Sequence, residues 1–160
     1  LYKSMRPTVT SLSRGKDDAI RGAMIHGLQK CKYIDMVRFD GPLFFANASY
    51  LEDKISERML NRKDLKHIII VSNAINDIDA SGEEVLSLLI ANVRSAGVEI
   101  SFSGVNESVM KVFERTHLMA MIRPENIYPT MEKAICAVHD HAHRNGDEVN
   151  CPLTTVCHIT

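Results

Sequence analysis

The run HIIIV at residues 67–71 restricts the fold more than any other feature of this sequence. A strand with one wet face alternates apolar and polar side chains. An unbroken apolar run needs cover on both faces, as parallel strands at the centre of an α/β sheet have. The run leads into a polar stretch, NAINDIDASG at 73–82. A helical pattern follows over residues 82–95, in which Val85, Leu86, Leu88, Leu89, Ile90 and Val93 form a broad apolar stripe. Ala96-Gly97 supplies the stop. Strand, polar corner and helix in that order open a crossover to a parallel neighbour.

The flanking segments fit the same plan. Residues 98–103 alternate Val98, Ile100 and Phe102 with Glu99, Ser101 and Ser103, which predicts a strand with one polar face. Residues 34–39 read as a strand, Asp40-Gly41-Pro42 as a turn, and residues 43–46 as a returning strand, together a hairpin. A helix is expected over 47–61, with Leu51, Ile55, Met59 and Leu60 on its inward face. Residues 8–12 predict an edge strand after Arg6-Pro7. Residues 17–29 carry Ala19, Ile20, Ala23, Met24 and Leu28 at helical spacing, in a helix that Gly22 and Gly27 weaken. Asn106 is placed to cap a helix holding Val109, Met110, Val112 and Phe113. Ile127-Tyr128 predict a short edge strand, and residues 131–141 a last helix with Met131, Ala134, Ile135 and Val138 inward. The expected fold class is α/β, with residues 1–144 as one domain and 145–160 as a tail that is poorly ordered or docked only loosely.

A composition of 45% hydrophobic and 24% charged residues suits one globular domain. No run reaches the ~18 apolar residues of a membrane span. The first residue is Leu and no signal peptide follows, so the chain is expected to be a segment of a longer polypeptide. Cys31, Cys136, Cys151 and Cys157 form no C-x-x-C pair, which favours reduced thiols. The net charge of −1 conceals an asymmetry: residues 1–38 hold eight Lys/Arg against Asp17, Asp18 and Asp35. Such an arm suits an anionic surface, a cytoplasmic leaflet or nucleic acid, and equally suits plain solvation.

Asp77, Asp79 and Ser81 fall at the carboxyl end of the central strand, where open α/β sheets place their ligand crevices. A magnesium site would recruit Asn73 or Asn76, but no other strand end adds an aimed carboxylate. The phosphate-loop pattern G-x-x-x-x-G-K-[ST] is absent, and Asp79 stands where a G-x-S-x-G nucleophile elbow needs its first glycine. A helix start accommodates all the residue types: Asp79 or Ser81 as the cap, with Glu83 and Glu84 at the positive end of the dipole. The same position would offer N–H donors to a phosphate on Ser81, while Asp77, Asp79, Glu83 and Glu84 would repel it.

Two motifs carry a family resemblance. The loop IDASG at 78–82 resembles the Asp-Ser-Ser-Gly type loop of anti-sigma factor antagonists, whose phosphorylated serine matches Ser81, with Ala80 in place of the first serine. The segment FDGPLFFANA at 39–48 resembles the Asp-Gly-Pro-Leu-(Phe/Tyr)-Phe-Ala-Asn-Ala signature of the cytoplasmic C-terminal domain of sulphate permease (SulP) anion transporters. In it Phe39, Asp40, Gly41, Pro42, Phe45 and Asn47 mark the family's signature hairpin. Both groups share the STAS domain, and the likeness runs from Met5 to Val138. It implies a mixed sheet of four to five strands with helices mainly on one face, residues 1–16 being a juxtamembrane start and first strand. It also implies a membrane transport domain preceding residue 1 and a place on the cytoplasmic face of the inner or plasma membrane.

The remaining motifs read more plainly. His139, His141 and His143 (HDHAH) place two imidazoles at i and i+4 on one helix face, a metal-binding spacing to which Cys151 or Cys157 would have to fold back. A solvated helix end is the preferred reading. LMAMI at 118–122 suits core packing or a loop cover better than an adaptable partner surface.

The function expected is therefore a non-enzymatic regulatory domain of an anion permease, with neither cofactor nor metal. Asn73, Asn76, Asp77, Asp79, Ala80, Gly82 and Glu83 would form its interaction loop, and Ser81 its phosphoacceptor-like position. The expected partners are the transporter's own membrane domain and a cytoplasmic protein. A homodimer and weak nucleotide binding are left open, and no nucleic acid is expected. The alternative is a free-standing antagonist-like switch with Ser81 as phosphoacceptor.

Overall fold

The computed structural model describes residues 9–14, 20–22, 31–146, 151, 153 and 154. Its strands are β1 (Val9–Arg14), β2 (Ile20–Gly22), β3 (Ile34–Phe39), β4 (His67–Val71), β5 (Glu99–Ser103) and β6 (Ile127–Tyr128), in the order β2-β1-β3-β4-β5-β6. Strands β3 to β6 run parallel, while β1 is antiparallel to both of its neighbours. The helices are α1 (Phe45–Asn61), α2 (Ala80–Ser95), α3 (Glu107–Arg115), α4 (Leu118–Ile122) and α5 (Met131–His143). The expected mixed α/β sheet is present, with six strands where the resemblance implies four to five, and its parallel run β3-β4-β5-β6 extends from beside β1 to the β6 edge.

The unbroken run in β4 now has its cause. Ile68 and Ile70 face α1, α2 and α3 with Val37, Phe39, Ile100 and Phe102, in a core that includes Leu51, Ile55, Leu86, Leu89 and Phe113. Ile69 and Val71 face the other way, with Ile34 and Met36, onto Ala134, Ile135 and Val138 of α5. Burying one such aliphatic side chain stabilises the fold by roughly 1.5–3 kcal/mol, so both faces contribute substantially.

Several expectations are corrected. Residues 43–46 do not return as a strand, because both edges of β3 are already occupied, by β1 and by β4. Leu43 makes a single parallel bridge to Ile78, and the chain enters α1 at Phe45. Ile20–Gly22 form a strand on the outer edge of β1, where a helix over 17–29 was expected. Pairing satisfies the backbone there, and Gly22 is a poor helix former; the rest of that segment lies outside the described residues. Strand β1 is accordingly not the edge. Leu60, expected inward on α1, is 76% exposed.

The predicted polar face of β5 is dry beyond Glu99, which is exposed. Ser101 and Ser103 are buried, because α5 covers that face of the sheet. Alternation reveals which side chains share a face, but not whether a later helix closes it. Beneath α5, His67 Nε2 and the Ser101 hydroxyl share a 2.6 Å hydrogen bond. Leu153, beyond α5, is fully buried in the second core. Cys151 packs against the same cluster. Its hydrogen bond, followed by burial, pushes the Cys31 thiol up.

Burial, and secondarily the charge of His141, pull His67 down to about 4 from its ordinary 6.5. In that window the unfolded chain binds a proton that the native state refuses. The stability associated with neutral His67 is complete above pH 6.5 and declines on acidification toward about pH 4, by about 3 kcal/mol in total. Urea unfolding across this range checks it: His67→Gln should lose markedly less stability on acidification than wild type. Equal losses in the two proteins would contradict the assignment.

Candidate functional site

The polar corner after β4 is built by two chain segments that are distant in sequence and stitched together through backbone. Leu43 N–H donates to the Asp77 carbonyl at 2.9 Å, and Asp79 N–H donates to the Leu43 carbonyl at 3.3 Å. Gly41, at φ +114°, donates its N–H to the Ala74 carbonyl at 3.0 Å. That left-handed backbone is a conformation glycine adopts without steric cost. The side chain of buried Asn47 then ties the turn to α1: its Oδ1 accepts from Phe44 N–H at 2.7 Å and its Nδ2 donates to the Pro42 carbonyl. Gly41, Leu43, Phe44 and Asn47 thus form a brace, with Phe39 buried beside it and Asp40 paired to Arg38 at 2.9 Å.

Gly82 is the closest point of the junction. A Cβ built there would lie 1.9 Å from the Leu43 carbonyl oxygen, so no side chain fits without separating α2 from the 42–44 segment. Asp79 is the N-cap of α2, its Oδ1 accepting from Gly82 N–H at 2.7 Å. Asp77 Oδ1 accepts from Ile78 N–H at 2.8 Å. Ile75 and Ile78 point into the core between these polar residues and pin the loop from beneath. A third loop adds support, since Asn106 Nδ2 donates to the Ile75 carbonyl and Ser108 Oγ to the Asn76 carbonyl.

What remains on the surface is a contiguous polar patch. Asn73, Asn76, Asp77, Asp79, Ala80 and Ser81 are exposed, Glu83 is half-buried, and Gly82 is buried. The cap is Asp79, so the Ser81 hydroxyl, in the first turn of α2, is not the capping group. Each aspartate already accepts from a backbone N–H, so the loop's hydrogen bonds hold its own shape.

Leu88, read from sequence as part of the inward stripe, is 55% exposed. It lies four residues beyond Glu84 and seven beyond Ser81, so all three share one face of α2. The stripe is wider than the core can cover, and the signal available was its position on the Glu84 flank. Phe44, next to the bridge, is 41% exposed and was likewise missed. His117 joins α2 to the start of α4, its Nε2 2.7 Å from Ser87 Oγ and its Nδ1 3.7 Å from Glu83 Oε1. Met119 and Met121 of α4 pack against the first core, as preferred from sequence.

The family model for the STAS domain matches residues 28–134. This chain belongs to the STAS domain family. The STAS chain is 27% identical over 111 residues to sulfate transporter 3.2 of Arabidopsis thaliana, covering 64% of this chain and 17% of that protein. In fold it is similar to the murine Solute Carrier 26 family member A9 anion transporter, with a TM-score of 0.77 at 15% identity over 87% of this chain and 23% of that one. It is also similar to the anti-sigma factor antagonist SpoIIAA in its unphosphorylated form, with a TM-score of 0.57 at 18% identity over 77% of this chain and 96% of that one. The chain spans between 16% and 24% of the length of the curated relatives it matches. No helix among the described residues is long and apolar enough to cross a membrane.

The brace predicts a steep response to small changes. Gly82→Ala should cost about 1–3 kcal/mol by overpacking against the Leu43 carbonyl. Asp79→Ala should cost about 1 kcal/mol by loss of the cap. Chemical denaturation measures both, and a Gly82→Ala protein within about 0.5 kcal/mol of wild type would contradict the packing described.

Proposed function

We propose that this STAS domain is the cytoplasmic regulatory module of a sulphate permease-type anion transporter, and that it acts by docking rather than by catalysis. The docking surface is the 73–82 corner with the outward face of α2. The observation that carries this reading is the combination of exposure with bracing. Six exposed residues stand on a loop and the helix start that follows it, where the loop backbone is fixed from three sides. Such a surface loses little conformational entropy when a partner arrives. Asp77, Asp79 and Glu84 supply an acidic rim, and exposed Leu88 an apolar contact beside it. That pattern suits a partner with basic and apolar groups, either the transporter's own membrane domain or a cytoplasmic protein.

The exposed Ser81 hydroxyl in the first turn of α2 favours one second reading, a phosphorylation switch of the antagonist kind with Ser81 as acceptor. Phosphate there would add up to about two negative charges to a rim that is already acidic. The relatives' sulfate transporter names support the first reading over this one.

In the full-length protein, Ser81→Glu should lower transport, and Leu88→Asp should weaken partner binding by roughly tenfold, about 1.4 kcal/mol. The isolated domain should keep its circular dichroism and thermal midpoint in both variants. Transport assays and pull-downs check this. Unchanged transport together with unchanged binding would exclude the corner as the docking site, and stoichiometric kinase labelling at Ser81 of the free domain would favour the switch.

A further inference from the structure

Far from the corner, the described residues bring together a second group that the sequence scatters across the whole chain. Cys31 precedes β3, His143 ends α5, and Cys151 lies in the tail. Their Sγ, imidazole nitrogen and Sγ atoms all lie within 4.8 Å of one another. Cys31 Sγ is 3.4 Å from His143 Nε2. A tetrahedral zinc with Zn–S of about 2.3 Å and Zn–N of about 2.05 Å sets neighbouring S and N ligands about 3.6 Å apart, and two sulphurs about 3.8 Å apart. The observed spacing needs only small side-chain adjustments to meet that geometry.

Four further observations point the same way. His143 Nδ1 donates to the His139 carbonyl at 2.8 Å when Nε2 is the unprotonated nitrogen, the tautomer that turns a lone pair toward the sulphurs. A backbone carbonyl on the distal nitrogen is the usual support of a metal-binding histidine. The ring is further held by stacking on His139 at 4.0 Å and by an edge contact with Tyr33 at 5.2 Å. Leu153 N–H donates to Cys151 Sγ at 3.4 Å, a bond that stabilises negative charge on sulphur. Cys31 is fixed through its own carbonyl, which accepts from Arg62 Nη2, while Arg62 Nη1 is held 3.1 Å from buried Asp35.

We propose that Cys31, His143 and Cys151 bind a zinc ion that clamps the tail and the end of α5 to the start of β3. Two thiolates and an imidazole select a borderline-soft cation over magnesium or calcium. Three corners of a zinc tetrahedron are thereby assigned. The HDHAH motif contributes one ligand from its last histidine, with His139 acting as the support beneath it. The i and i+4 pair itself is not the site: His139 and His143 stack ring on ring, and His141 is exposed. The site is independent of the docking surface proposed above.

The test is a titration of the chelator-treated, reduced 160-residue chain with cobalt(II) as spectroscopic probe, then with zinc(II) in competition. One equivalent of cobalt should give sulphur-to-metal charge transfer in the near ultraviolet and intense visible bands of tetrahedral coordination, both abolished by zinc. Cys151→Ser and His143→Gln should each weaken zinc binding by at least roughly 100-fold with unchanged far-ultraviolet circular dichroism. Cys151→Ser is the safer variant because it alters the tail rather than the buried Cys31. Cys136→Ser should bind as wild type. Absence of charge transfer in the wild type, wild-type affinity in Cys151→Ser, or a Cys31–Cys151 disulfide persisting under reductant would each overturn the proposal.

Discussion

The contact on which the site depends is the meeting of Gly82 with the Leu43 carbonyl. It joins the segment that leaves β3 to the helix that follows β4, and it leaves no room for a single added carbon. The Leu43–Ile78 bridge lies beside it, and together they turn two crossover loops into one body. A loop on a parallel sheet edge ordinarily moves more than the elements it connects. Here its peptide groups are spent on each other and its apolar residues on the core, so what faces solvent is side chain held at fixed positions.

The two faces of the sheet divide the labour. The face under α1, α2 and α3 holds the larger core and orients the corner. The face under α5 carries a smaller core together with the polar and sulphur-bearing groups: His67 with Ser101, and Cys31 with His143 and Cys151. Burial on that face depends on α5 and Leu153, late in the chain, covering strands from earlier in the chain. Anything that fixes the tail therefore acts on the far side of the sheet from the core that orients the 73–82 corner.

Much of this was legible in the sequence for reasons that can be stated. The run 67–71 demanded two covered faces and has them, and Asn106 was placed as a cap and is one, accepting from Val109 N–H at 3.1 Å. Local patterns failed where the answer lay in another segment. Residues 43–46 looked like a strand by composition, but the places beside β3 were taken. Ser101 and Ser103 looked wet until α5 covered them. Leu88 looked buried because a stripe records apolarity rather than the width of the surface opposite it. For the corner, residue types indicated a helix start with an acidic rim, whereas the brace by Leu43 required coordinates. Cys31 and Cys151 are 120 positions apart, and no spacing rule within one element joins them.

Native-state hydrogen exchange at the amides of Gly41, Leu43, Asp79 and Gly82 tests the rigid corner most directly. If the corner is one braced body, these amides exchange only through global unfolding, as slowly as the central amides of β4. Exchange at loop-like rates in a protein whose β4 amides stay protected would contradict the account.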